Sequence, residues 1–312
     1  MQTIERLITH SGAFHADEVL AYVVLRDLFP GAALTRTRDA ALLDAAAEES
    51  IIFDVGLVFD PARGRFDHHQ IGAPLRPDGI CYSSFGLIWA HYGRDWLGMM
   101  LDEEYEIEGA WERLDRGMVR DIDALDTSTL QPGQEGANHP LSLPSLLVQF
   151  RPAWDYATHE EMTRGFLAAA NCAAQILQAS ALSAAARSRA DHLAAELIAN
   201  RPHRNWIELP CGMPWHHALR TSGDEEILFA ITPAEGQWYI DTVPVRPGSY
   251  ETRKSLPAHW SGLRDGELAE VTGVPDAVFC HKALFVGAAK TRAGALKLLE
   301  QALAYEPGET TP

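Results

Sequence analysis

Apolar positions along the first 130 residues alternate between two spacings. Arg6–Thr9 and Ile51–Val55 are short apolar runs, the second interrupted only by Asp54, as in buried parallel strands. Asp17–Phe29 places Val19, Leu20, Val23, Val24 and Leu28 at helical spacing, and Ser83–Tyr92 and Met99–Leu125 read as further helices. Ala33–Arg38 reads as another strand and Ala40–Glu48 as a short alanine-rich helix. Strands alternating with helices predict a parallel sheet with helices on its faces, an α/β domain.

From Tyr156 to Asn200 the chain turns alanine-rich while apolar residues keep recurring, which predicts two helices or one long bent one. After Arg201 the runs Trp206–Pro210, Glu226–Thr232, Trp238–Val245 and Ala277–Gly287 are strand-like, and a glycine turn then leads into a helix ending near Ala304. The expected organisation is a first domain over 1–155, a helical connector over 156–200 and a smaller α+β domain over 201–312.

Composition narrows the function classes. With 46% hydrophobic and 22% charged residues in 312, the chain is of ordinary globular type. No apolar run reaches the length of a membrane span, and the opening MQTIERLITH has no basic leader. Cys81, Cys172, Cys211 and Cys280 are scattered without a CxxC pair, which suits a reducing compartment and predicts a cytoplasmic protein. A net charge of −17 argues against coating duplex nucleic acid, though not against local binding of a short phosphate-bearing strand. The charge is uneven: residues 246–297 carry eight basic and five acidic side chains, so an anion would find its partners there.

Four clusters of ligand-type residues lie beside predicted strand ends. They are His10, His15 and Asp17; Asp54; Asp67, His68 and His69; and Asp121, Asp123 and Asp126. In an open parallel sheet, ligands bind outside the carboxyl ends of the strands. A carboxylate ending a buried strand is costly unless something pairs with it. Imidazole and carboxylate together suit Mn, Zn, Fe or Co, and carboxylate-rich sites with two metals are built for phosphoester hydrolysis. Singly, each cluster has an ordinary reading: Asp54 as a cap, the DHH run as a surface turn, the aspartates of 121–126 as a solvated helix face. His91, His159, His192, His203 and His259 are read as structural or exposed. The joint occurrence of the clusters favours metal.

At the DHH run the chain resembles the DHH phosphoesterase superfamily and, within it, the melanocyte-proliferating-gene-one family, also labelled metal-dependent protein hydrolase. THSGAFHADE, TRTRD, FDVG, FDHHQ, SSFGLIW, DIDALD, WSGLRDGEL, VFCHKALFVG and KTRAGAL carry the resemblance in order from residue 9 to residue 296. It implies an α/β domain with a dinuclear centre, usually manganese, with Mg2+, Zn2+, Co2+ or Fe2+ as alternatives, and a second domain closing over the substrate. It further implies that His10, His15 and Asp54 hold one metal. Asp54 then bridges to a second held by Asp17, His68 and either Asp123 or Asp126, with Asp126 preferred because Thr127 follows it. Asp67 would orient His68, His69 would face the scissile phosphate, and Asp121 is structural. His15 stands where superfamily members usually have a carboxylate, so the first site is expected to be less negative and richer in imidazole.

The activity implied by the resemblance is that of a 3′-to-5′ exoribonuclease acting on short single-stranded RNA. Arg253, Lys254, Arg264, His281, Lys290 and Arg292 are then the candidates for binding non-reacting phosphates. Gly287-Ala288 replaces a frequent Gly-Gly before the last helix, which leaves less room for a substrate there. Two other readings stay open: a small-molecule phosphohydrolase acting on pyrophosphate or a nucleotide, and a non-enzymatic metal- or nucleotide-binding protein. The expected partner is RNA or a nucleotide, with a homodimer as an option and no membrane.

Overall fold

A computed structural model describes residues 3–46, 48–127 and 141–306. The chain divides into two compact units, Met1–Ser188 and Arg189–Pro312.

The first unit follows the strand–helix alternation: β1 (Arg6–Thr9), α1 (Ala16–Leu28), β2 (Ala33–Arg36), α2 (Ala40–Asp44) and β3 (Ser50–Phe53). A hairpin of β4 (Phe59–Asp60) and β5 (Arg65–Phe66) comes next, too short to carry a periodic signal. The helices α3 (Ser84–Gly98), α4 (Glu104–Leu114), α5 (Arg120–Asp126) and α6 (Leu143–Leu147) complete the layer. Strand order is β2-β1-β3-β5-β4, parallel except for the β4–β5 pair. Alternate side chains leave opposite faces of a strand. Leu7, Ile51 and Phe53 therefore enter the main core with Val19, Val23, Phe85 and Trp89, while Ile8 and Ile52 pack under Leu43 and Ala46. The helix expected over Met99–Leu125 is instead two, joined by a π turn at Asp115–Val119. Such a wide turn resets the face that the following residues present, here those of α5.

The alanine-rich stretch is one 41-residue helix, α7 (His159–Ala199), and the division between the units falls inside it. By length and composition alone it is the one helix among the described residues that could cross a membrane. Its apolar residues are used for packing: Phe166, Ala169, Ala170, Ala173 and Leu177 in the first unit's core, and Ala194 and Ile198 in a core of the second.

The second unit contains β6 (Trp206–Glu208), α8 (His216–Ser222), β7 (Phe229–Ala234), β8 (Gln237–Thr242), α9 (Asp265–Thr272), β9 (Ala277–Cys280), β10 (Val286–Ala289) and α10 (Arg292–Ala304). Strand order is β6-β7-β8-β10-β9, with only β6–β7 parallel. The run Ala277–Gly287, strand-like throughout in sequence, is a hairpin that reverses near Leu284 at φ 61°. One sheet face packs Phe229, Ile231 and Ile240 against Leu298 and Leu299 of α10, and the other packs Ile207, Ala230 and Val243 against Leu219 of α8 and Ile198.

Candidate metal centre

Residues 10–15 connect the carboxyl end of β1 to α1. Three guanidiniums hold this loop by its carbonyls: Arg36 donates to Gly12 O (2.9 Å), Arg38 to Ser11 O (3.1 Å) and Arg151 to Phe14 O (2.8 Å). Arg36 also lies 4.7 Å from the Phe166 ring and 5.7 Å from the Phe14 ring. Gly12, at φ 94°, makes the reversal that a side chain would oppose. The result is a buried His10, an exposed His15 at the start of α1, and Asp17 and Glu18 buried in the first helical turn.

Asp54 follows β3 with a left-handed backbone (φ 56°), followed by Gly56 at 101° and Leu57 at 57°. Aspartate tolerates this region better than most residues. The turn places Asp54 between two histidines. Its Oδ2 is 3.1 Å from His10 Nε2 and its Oδ1 is 3.0 Å from His68 Nε2. Asp67, buried at the end of β5, accepts from the amides of His68 (2.7 Å) and Leu57 (2.6 Å) and from His69 Nδ1 (2.7 Å). The ring it orients is that of His69, whereas the resemblance assigned it to His68. With Nδ1 held, His69 presents Nε2 away from Asp67, and half of its side chain is exposed.

The aspartates of α5 separate cleanly. Asp126 Oδ2 lies 3.4 Å from His68 Nε2, and Asp126 groups with His15 and Asp17. Asp123, three residues earlier and fully buried, faces elsewhere: Oδ1 accepts from Ser83 N (3.0 Å) and Ser83 Oγ (2.6 Å), and Oδ2 from Arg76 Nη1 (2.7 Å). Arg76 in turn donates to Asp115 (2.5 Å). Asp123 thus ties α5 to the start of α3. Asp121 is exposed beside Arg120 (3.7 Å).

The donors fit a pair of divalent ions. Adjacent ligands around an octahedral ion with bonds near 2.1 Å lie roughly 3 Å apart. The His10–Asp54 and His68–Asp54 separations are of that size. Asp17 Oδ2 accepts from Ser84 Oγ (2.9 Å), while its buried Oδ1 has no hydrogen-bond partner among the described residues. Four sets of donor atoms each lie within 4.8 Å of one another: His10, His15 and Glu18; Asp17, Glu18 and Asp54; His15, Asp17 and Asp126; and Asp54, Asp67, His68 and His69. All have oxygen or imidazole donors suited to Mn2+ and its neighbours.

The electrostatics express the same demand for positive charge. Burial, then the nearby Asp17 and Asp54 charges, push the Asp126 carboxyl up to about 10. Burial likewise raises Glu18 well above the usual carboxylate range. Burial would lower His10, but contacts with Asp54 and Glu18 carry it up to about 10. Burial opposes ionisation of Asp54, yet its hydrogen bonds with His10 and His68 bring it to about 2. His69 is raised, chiefly by its bond to Asp67. Beside His15, Asp17 and Asp126 lies a cavity of about 130 Å³, also walled by Ile122, Leu125, Ser142 and Ser145.

Of the anion-binding candidates, three are engaged within the second unit. Arg253 donates to Asp224 O (2.8 Å) and Ile227 O (2.9 Å), Lys254 to Leu303 O (2.9 Å), and Arg292 to both oxygens of Glu208 (2.7 and 2.6 Å). Arg264 and Lys290 are exposed and donate no such side-chain bond among the described residues, while the exposed His281 accepts from Ala283 N through Nδ1 (3.1 Å). Arg264 lies 5.7 Å from the Phe279 ring, at the end of a cross-strand row formed by Tyr239, Ala288 and Phe279. Sequence reasoning missed this row, as it missed Glu18, Ser84 and the arginines on the His10–His15 loop. The row is visible only once β8, β9 and β10 are paired in register.

The model of the Uncharacterised protein family (UPF0160), named MYG1_exonuc, matches residues 6–303. The MYG1 exonuclease of Homo sapiens is 32% identical over 96% of this chain and 86% of its own length, and that of Bos taurus 32% over 98% and 86%. A crystal structure of RecJ in complex with Mn2+ from Thermus thermophilus aligns with 97% of this chain and 52% of its own, at 12% identity and a TM-score of 0.27. With a family model spanning nearly all of its residues and relatives of this identity along its whole length, the chain belongs to the MYG1 exonuclease family.

Proposed function

We propose that the chain is a metal-dependent phosphodiester hydrolase, working as a 3′-to-5′ exoribonuclease on short single-stranded RNA. The observation that carries this reading is Asp54, whose two oxygens each face the Nε2 of a different histidine and so link two donor sets. Two divalent ions, Mn2+ by preference, would supply Lewis-acid charge and acidify water when bound.

The residues of the chain supply the remaining chemistry. Asp17, Asp54 and Asp126 hold the positive charge at the carboxyl end of the sheet. His69, held through Nδ1 by Asp67, whose bond raises its pKa, can take a proton on Nε2 and give it to the leaving oxygen. The cavity beside His15 and Asp126 admits a phosphate but is too small for a folded RNA. Within the second unit, Arg264 and Lys290 offer exposed cations and the Tyr239–Phe279 row offers ring faces, groups suited to the phosphates and bases of a nucleotide. The name of the human and bovine relatives, MYG1 exonuclease, supports this class of reaction. The four free cysteines support a cytoplasmic setting.

A small phosphate substrate is the second reading, favoured by the net charge of −17 and the narrow cavity. Purified protein with Mn2+ would be offered 5′-labelled single-stranded RNA, a dinucleotide and pyrophosphate, beside Asp54→Asn, which tolerates the left-handed backbone. Stepwise shortening from the 3′ end, absent in the variant, supports the exonuclease. Turnover of pyrophosphate alone replaces it with the second reading.

A further inference from the structure

His10 faces more negative charge than the three-ligand expectation provides for. Its Nδ1 lies 3.1 Å from Ser11 O. A carbonyl only accepts, so Nδ1 carries the hydrogen and Nε2 of the neutral ring carries a lone pair. That lone pair meets two carboxylates: Asp54 Oδ2 at 3.1 Å and Glu18 Oε1 at 3.0 Å. One proton on Nε2 can be directed to only one of them. Glu18 Oε1 is fully buried and has, among the described residues, no hydrogen bond of acceptable geometry. The other oxygen of Glu18 is used structurally, accepting from His15 N at 2.8 Å, so the side chain is pinned with Oε1 aimed at the cluster. An arrangement of one nitrogen lone pair and two carboxylate oxygens at distances near 3 Å is a half-built coordination shell.

We propose that Glu18 is a protein ligand of the first metal, together with His10 and Asp54, and that it supplies the carboxylate that His15 does not. The first site then carries two carboxylates from this chain, and the exchange of a carboxylate for His15 leaves its charge unchanged. Residues two and three of helix α1 would then divide their work, Glu18 serving the first ion and Asp17 the second, with an Asp54 oxygen within 4.8 Å of both. The inference rests on the reading that the cluster binds divalent cations, and not on which phosphoester is cut.

Its test reads metal and not turnover. Calorimetric titration with Mn2+, with electron paramagnetic resonance to count bound ions, would compare the parent protein, Glu18→Gln and the double variant Glu18→Gln/His15→Asp. Glutamine keeps an oxygen to accept from His15 N, so the helix start is retained, and thermal melting checks this. The expected result is two ions in the parent and a loss of first-ion affinity of at least about 100-fold in Glu18→Gln, with the second ion retained. The double variant should recover much of that loss, because it returns a carboxylate to the first site. Two ions bound by Glu18→Gln with affinity within about threefold of the parent would overturn the proposal. Absence of Mn2+ binding by the parent would overturn the cation reading beneath it. Metal bound normally by all three proteins without RNA cleavage would sink the exonuclease and Glu18 ligation separately.

Discussion

Asp123 and Asp126 occupy one short helix, yet their removal should have opposite consequences. Asp123→Ala takes away the acceptor of Ser83 N, Ser83 Oγ and one arm of Arg76, all buried. Breaking a buried charged network from one side costs about 3–5 kcal/mol, because the partners stay desolvated. For a unit of this size that is on the order of 10 °C in melting temperature. Mn2+ affinity at temperatures where the variant stays folded should be within about twofold of the parent, since Asp123 does not face the cluster. Asp126→Ala removes a carboxyl that burial and its neighbours push up to about 10, so the metal-free protein loses no stability and can gain some. Its Mn2+ affinity should fall at least about 100-fold, beyond the range seen when only supporting groups around ligands are lost. Differential scanning fluorimetry with and without chelator, followed by Mn2+ titration, reads both quantities. Loss of metal in Asp123→Ala with an unchanged melting temperature would refute the assignment.

Three further outcomes follow from the same geometry. A Cβ at Gly86 would lie 2.4 Å from both Asp123 oxygens, so Gly86→Ala should cost about as much as Asp123→Ala alone and far less in its background; additive losses in a double-mutant cycle would count against the clash. Burial pushes Asp241 on β8 up to about 6 from 3.8, so the folded protein holds an extra proton between these values and loses up to about 3 kcal/mol as pH rises through that window. Asp241→Asn should therefore be more stable than the parent at pH 7.5 and equal to it at pH 3; an identical gain at both values in urea titrations would contradict this. Saturating Mn2+ at 100 times its dissociation constant should add about 2.7 kcal/mol per site to the first unit, measured as a rise in melting temperature that chelator reverses. A melting temperature indifferent to Mn2+ would exclude the cluster as its binding place.

Much of the site is legible in the sequence because its chemistry is concentrated at strand ends. HSGAFHAD, Asp54 and the DHH run announce themselves by residue type and position. Asp123 and Asp126 do not separate on spacing, since residues three apart share a helix face. What separates them is the π turn at Asp115–Val119 together with Arg76 and Ser83, neither of which has a local signature. Glu18 hides for a different reason: a glutamate three residues after a helix start is the ordinary way to satisfy backbone donors. The hairpins β4–β5 and β9–β10 escape periodicity, being too short or continuous in hydrophobicity across their turn. The single long helix α7 depends on packing in two cores, which alanine content alone does not specify.

The crowding of Asp17, Glu18, Asp54, Asp67 and Asp126 at the carboxyl end of the first sheet has a consequence outside chemistry. A cluster that needs cations ties the folded fraction of the first unit to the free metal around it. Each tenfold change in free ion above the dissociation constant moves its stability by about 1.4 kcal/mol per site. In a cell starved of the ion this cluster takes, more of the protein would pass through open states that proteases degrade. Its abundance would then report metal supply before any change in its synthesis.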